Sequence, residues 1–101
     1  MVMFRWILCL VLLPLMVGAV PVKKPIHVGI SAALSGPSKA LGISYTEGAK
    51  LYFRHINNRG GIRGQEIQLT ILDDAYSPER AVHNTVELIT NHQVDLLFGY
   101  V

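Results

Sequence analysis

Cysteine is almost missing from this chain: the single Cys9 lies in an apolar N-terminal run, and none follows it. A disulfide framework is therefore excluded for residues 20–101, which must rely on an ordinary hydrophobic core. Charge is scarce as well, at 16% of the 101 residues, with nine Lys/Arg against seven Asp/Glu. Setting aside Arg5 in the N-terminal run leaves eight against seven, a balance near neutrality. Such a surface has no electrostatic footprint for nucleic acid or for an anionic membrane. Catalytic motifs are missing too. The segment Ser35-Gly-Pro-Ser-Lys-Ala-Leu-Gly42 spaces its glycines too widely for Gly-x-Gly-x-x-Gly, and no Gly-Lys-Ser/Thr follows it. There is no Gly-x-Ser-x-Gly elbow. His27, His55, His83 and His92 form neither His-Glu-x-x-His nor a close pair with cysteine, so a metal site has no support. No cofactor is implied, and nothing reads as an enzyme.

What is present begins with a basic residue, Arg5, and an almost wholly apolar run from Trp6 to Met16, closed by the small residues of Val17-Gly-Ala19. Residues 1–19 read as a secretory signal peptide. With Val17-Gly-Ala19 the run is about fourteen residues, short of the ~20 that cross a bilayer as a helix, which disfavours the competing reading of a retained anchor. Cys9 sits within the run, whereas a lipid-attachment cysteine would end it. Residues 20–25, Val20-Pro-Val-Lys-Lys-Pro25, form a polar, proline-bearing lead-in expected to be extended.

Residues 26–101 show the two periodicities of an α/β domain. Ile26 to Ala33 reads as a strand, with apolar residues at 26, 28 and 30. Residues 34–42 are expected to be a loop because of their Ser-Gly-Pro turn signal. A helix is expected from Ser44 to Asn58, with Ala49, Tyr52, Phe53 and Ile56 as its buried stripe. Thr46, Glu47, Lys50, Arg54 and Asn57 fill the other face. Gly60-Gly61 supplies the left-handed cap that ends a helix. Gln65 to Leu72 reads as a second strand, with Ile67, Leu69 and Ile71 on one face. Ser77-Pro78-Glu79 starts a second helix, whose expected buried stripe is Val82, Val86 and Ile89. Val94 to Phe98 is the third strand. The order β-α-β-α-β with short connections implies an open parallel sheet with right-handed crossovers. The chain ends directly after a strand-like run, which reads as a truncated chain.

Ligands of open parallel sheets bind beyond the carboxyl ends of the strands. This places "NNRGGIRG" (57–64) at the opposite edge, after a helix whose negative end repels phosphate. It reads as a helix cap and turn. Asp73-Asp74 reads as a strand-end turn rather than a metal or acid/base pair, because adjacent strand residues face opposite ways. The first loop is the better site. Ser35, Ser38 and the amides near Gly36 and Gly42 can donate to an anionic small molecule, with Leu41 and Ile43 as apolar wall. The same serines serve equally well as the helix cap of an ordinary βα loop. Tyr100 follows the third strand at this edge, as a pocket aromatic or a rim residue.

Taken together, Ser35-Gly-Pro37 with Gly42, Gly48-Ala49, Asn57 with Gly60-Gly61-Ile62 and Gly64, and Asp73-Asp74 with Pro78 resemble a known family. It is the leucine/isoleucine/valine-binding type of periplasmic solute-binding protein, the type I binding proteins of ABC transporters. The resemblance covers essentially everything after the signal. It implies a bilobal protein of which residues 26–101 form the first half of the N-terminal lobe. The implied function is capture of a branched-chain amino acid, or a similar small amino-acid or amide ligand, in the periplasm, for delivery to a membrane permease. Such lobes also serve as sensors of membrane receptors such as kinases or cyclases. In the family, ligand contacts come from the loop matching Ser35 to Leu41 and from the loop that would begin at Gly99-Tyr100. Some members carry a cysteine where this chain has Tyr76, so that disulfide is excluded. The signal assignment makes one expectation concrete: intact mass of the exported protein should lack residues 1–19, and retention of Met1 would refute cleavage near Ala19.

Overall fold

The computed structural model describes residues 23–101. Residues 1–19, where a signal peptide is expected, and residues 20–22 of the lead-in lie outside the described residues. The elements are β1 (Ile26–Ala32), α1 (Lys39–Asn58), β2 (Ile67–Asp73), α2 (Pro78–Thr90) and β3 (Leu96–Leu97). All strand pairs are parallel, in the order β2-β1-β3, with Val28 level with Leu69 and Leu96, and Gly29 level with Thr70 and Leu97. This is the expected open α/β sheet. Because β2 and β3 flank β1 on opposite sides, right-handed crossovers place α1 and α2 on opposite faces.

The side chains of β1 divide accordingly. Val28 and Ile30 lie on the α1 face, in register with Leu69 and Ile71, and are buried. That is the face expected for Ile67, Leu69 and Ile71. Gly29 and Ser31 turn to α2. A Cβ on Gly29 would stand 3.1 Å from both Leu88 methyls, so the missing side chain makes room for Leu88. Ser31 receives the Asn84 amide at 3.2 Å.

This small, polar surface overturns the expected stripe of α2. Val82, Val86 and Ile89 are 66%, 53% and 54% exposed, while Leu88 and Asn84 are buried and Ala81 and Thr85 half-buried. Residues 81, 84, 85 and 88 fall at i, i+3, i+4 and i+7, as good a helical stripe as the i, i+4, i+7 of the apolar set. The sheet chose the face whose shapes and hydrogen bonds fit Gly29 and Ser31. The start of α2 is as expected: Ser77 accepts from the Arg80 amide at 3.3 Å, with Pro78 and Glu79 in the first turn.

The first helix begins five residues earlier than expected, at Lys39 instead of Ser44, so Leu41, Gly42 and Ile43 are helical. Gly42 is buried, and a Cβ there would collide with the Ala33 carbonyl. It is the contact point that lets α1 start close above the end of β1. Tyr52 lies on the flank of the buried stripe and is 62% exposed, its ring 6.1 Å from that of Phe53. Thr46, expected on the polar face, is buried, and its hydroxyl donates to the Ile43 carbonyl at 3.1 Å. Asn57 also turns inward. Its side chain brackets the backbone of Ile67, donating to the carbonyl at 2.9 Å and accepting from the amide at 2.8 Å. That bracket seats β2 where its ladder begins.

The glycines of residues 57–64 act as a cap and turn, as expected. The Gly61 amide donates to Ile56 and that of Gly60 to Asn57, the nested pair of a left-handed helix cap, with φ of 99° at Gly60. Ile62 and Gln65 then exchange backbone bonds across Arg63 and Gly64, both at positive φ. β2 starts two residues later than expected as a result. β3 shrinks to Leu96–Leu97 because the Val94 amide caps α2 at Leu88 and Asp95 bonds His27. Leu88→Ala should cost about 2–5 kcal/mol in urea unfolding, and Val86→Ala no more than about 0.5 kcal/mol. The reverse ranking would refute the assigned face of α2.

Candidate ligand-binding site

Three segments meet at the carboxyl edge of the sheet: residues 33–38 after β1, 74–77 after β2, and 99–101 after β3. Asp73, the last residue of β2, joins the first two. One carboxylate oxygen accepts from the Leu34 amide at 2.8 Å and the Ala75 amide at 2.9 Å. The other accepts from the Ser35 hydroxyl at 2.6 Å. The Ser35 bond, followed by those from Ala75 and Leu34, lowers the Asp73 pKa from 3.8 to about 2, with a smaller pull from Arg80 and an opposing desolvation effect.

Asp74 turns the other way and is buried. It accepts from the Ser31 hydroxyl at 2.7 Å and the Tyr76 amide at 2.8 Å. Asn84 completes the network by bonding Ser31 and, at 3.0 Å, the Asp73 carbonyl. The two carboxylates thus diverge, each tied to separate donors, as expected of a strand-end turn. They hold Ala75 and Tyr76 at φ of 48° and 63°, a region costly for side-chain-bearing residues. That backbone leaves the Tyr76 ring exposed at the edge.

A cavity of about 410 Å³ opens here, lined by Asp74, Tyr76, Ser77, Pro78, Ala81, Tyr100 and Val101. Tyr100 lines this cavity, and its hydroxyl lies 2.8 Å from that of Thr85. The other residues named from sequence are placed differently. The Ser35 hydroxyl proton is committed to Asp73, so toward a ligand Ser35 offers only a lone pair. Gly36, at φ 80°, lies beside the Ala75 carbonyl and not in the cavity lining, and its own carbonyl accepts from the Lys39 amide at 3.2 Å. Ser38 is the helix cap by position, but its hydroxyl makes no capping bond. Leu41 is exposed in the first turn of α1. Gly42 is corrected: its amide donates to Ser38 at 3.4 Å, so it is not a free donor, and its place is decided by packing on Ala33. Ile43 lines a separate groove of about 600 Å³ between α1 and the flank of β2, with Thr46, Leu69 and Ile71.

Sequence reasoning missed Asp74, Tyr76, Ser77, Pro78 and Ala81 as pocket lining. Their position at the end of β2 and the start of α2, on the carboxyl edge of the sheet, was the signal that could have found them. His27 bonds Thr70 at 2.6 Å, and among the described residues no group of three His, Cys, Asp or Glu could hold a metal ion. Asp73 has a pH signature. Its folded pKa is depressed, so its stabilising contribution is fully present above 3.8 and is lost as the pH falls through about 2. Asp73→Asn should flatten this acid limb of the unfolding midpoint, and an unchanged limb would refute the clamp.

Comparison with known proteins gives this edge a context. Residues 25–101 match the model of the family described as periplasmic binding protein. The Leu/Ile/Val-binding protein of Escherichia coli is 32% identical over 76 residues, covering 75% of this chain. The chain spans only 15% to 20% of the length of the curated relatives it matches. Among solved structures, the branched-chain amino acid transporter substrate-binding protein LivJ of Streptococcus pneumoniae, in complex with isoleucine, superposes with a TM-score of 0.72. It is 32% identical and covers 75% of this chain and 22% of its own. A solute-binding protein of an ABC transporter from R. palustris, in complex with benzoate, gives 0.66 at 31% identity, covering 76% of this chain and 21% of its own. The match along nearly all its described residues, with the likeness to these solved structures, shows that this chain belongs to the type I periplasmic binding proteins, a family of solute-binding proteins and not of enzymes.

Proposed function

We propose that this chain is part of the extracytoplasmic solute-binding component of an ABC importer, exported to the periplasm. It binds a branched-chain amino acid, or a similar small amino-acid or amide ligand, and delivers it to a membrane permease. The observation that carries this reading is the open cavity at the carboxyl edge. Its lining combines the aromatic and apolar Tyr76, Pro78, Ala81, Tyr100 and Val101 with the polar Asp74 and Ser77. Isoleucine and benzoate, the ligands of the two solved relatives, are both carboxylates with an apolar body. An edge of this composition suits that chemistry. The positive end of α1 favours the carboxylate, and the Tyr76–Tyr100 wall favours the apolar body.

One lobe edge buries only one side of such a ligand, and useful affinity needs most of its surface enclosed. The second side would come from another lobe of the full-length protein closing over the first. Binding without chemistry asks only for shape and fixed donors and acceptors. The clamped turns at Asp73 and Asp74 supply these without a reactive group.

A thermal-shift screen of the full-length protein against leucine, isoleucine, valine, aliphatic amides and benzoate tests the proposal. The true ligand at a hundredfold its dissociation constant should stabilise by about 2.7 kcal/mol. A flat response to all of them would refute this ligand class. The 101-residue chain alone should bind none of them. Calorimetry showing micromolar binding to it would overturn the two-lobe site.

A further inference from the structure

Tyr100 is tied at three points. Behind it, Gly99 at φ 66° lets the Tyr45 ring pack directly on the backbone. Ahead of it, the Val101 carbonyl accepts from the Ala33 amide at 3.3 Å. These contacts fix the main chain and leave the side chain free to swing. The third tie removes that freedom: the phenol lies 2.8 Å from the hydroxyl of Thr85, one turn along α2 from the pocket residue Ala81. A hydroxyl carries one proton, and that of Thr85 goes to the Ala81 carbonyl at 2.8 Å. The shared bond therefore runs one way, with Tyr100 donating and Thr85 accepting.

We propose that Thr85 is a positioning residue for the ligand site. By accepting the Tyr100 proton it holds that ring as a wall of the cavity and so favours ligands with an uncharged apolar or aromatic side chain. The neighbouring floor agrees with this ligand class. Asp74 is buried there with its oxygens accepting from the Ser31 hydroxyl and the Tyr76 amide, so it offers an acidic side chain no hydrogen-bond donor. Thr85 does not line the cavity, and it acts only through Tyr100. The inference rests on the solute-binding reading above and adds a side-chain selectivity determinant to it.

The test compares leucine with alanine, whose side chain is too short to use an aromatic wall, by calorimetry on the full-length protein. Thr85→Val keeps the shape of the side chain and removes the acceptor. It should lower the leucine-to-alanine affinity ratio about three- to tenfold, the worth of one neutral hydrogen bond. Tyr100→Phe should lower the ratio similarly, and the double variant should lose little more. Thr85→Ser should restore the wild-type ratio. Near-UV circular dichroism should show a weakened tyrosine band in Thr85→Val but not in Thr85→Ser. An unchanged ratio in both Thr85→Val and Tyr100→Phe would overturn the positioning role alone. A wild-type protein that binds neither amino acid would instead overturn the amino-acid reading itself, and this inference with it.

Discussion

The carboxyl edge of the sheet depends on one constraint: two adjacent carboxylates at the end of β2 must face opposite ways. Strand geometry imposes this, because consecutive side chains alternate across the sheet. Asp73 therefore reaches the loop after β1, while Asp74 reaches into the α2 face and meets Ser31. Both then gather the amides of their own turn, at Ala75 and Tyr76. One dipeptide thus joins two strands, two loops and, through Asn84, the second helix. Separation of the carboxylates also argues against shared metal ligation. Their role is to make a rigid rim from segments that carry few apolar contacts.

The rest of the fold follows from how β1 serves both faces. Its α1 face, Val28 and Ile30, is an ordinary apolar surface that any helix stripe could cover. Its α2 face, Gly29 and Ser31, is narrow and polar, and it admits only a helix presenting a long apolar side chain next to an amide. Leu88 and Asn84 meet that demand, and Thr85 is carried inward beside them. This placement sets Thr85 under the residue that follows β3 and links helix packing to the shape of the cavity. The solute-binding relatives give the edge its context, and the local packing gives it its particular wall.

The sequence was informative where a local rule had one solution. Gly60-Gly61 could only end a helix, Ser77-Pro78-Glu79 could only begin one, and the Asp73-Asp74 pair read correctly as a turn. It misled where two local solutions competed. The apolar spacing of Val82, Val86 and Ile89 was outranked by the 81, 84, 85, 88 set, since the deciding partner, Gly29, is some fifty residues away in sequence. Gly42 looked like a loop glycine because the Ser-Gly-Pro signal hid the early start of α1. Its purpose is visible only against the Ala33 carbonyl. Of the residues named for the site, Tyr100 lines the cavity, Gly36 and Leu41 do not, Ser35 is held by Asp73, and Gly42 packs on Ala33.

By itself the sequence determined the element order, the parallel sheet and the family. These depend on periodicity, caps and turn residues, which act within a few positions along the chain. Tertiary structure alone decided which face of α2 is buried, which hydroxyls at the edge are committed, and that Tyr100 stands against α2. Those outcomes depend on pairings such as Ser31 with Asp74 or Thr85 with Tyr100. Their partners are brought together by the crossover topology, and no local pattern encodes the distance between them.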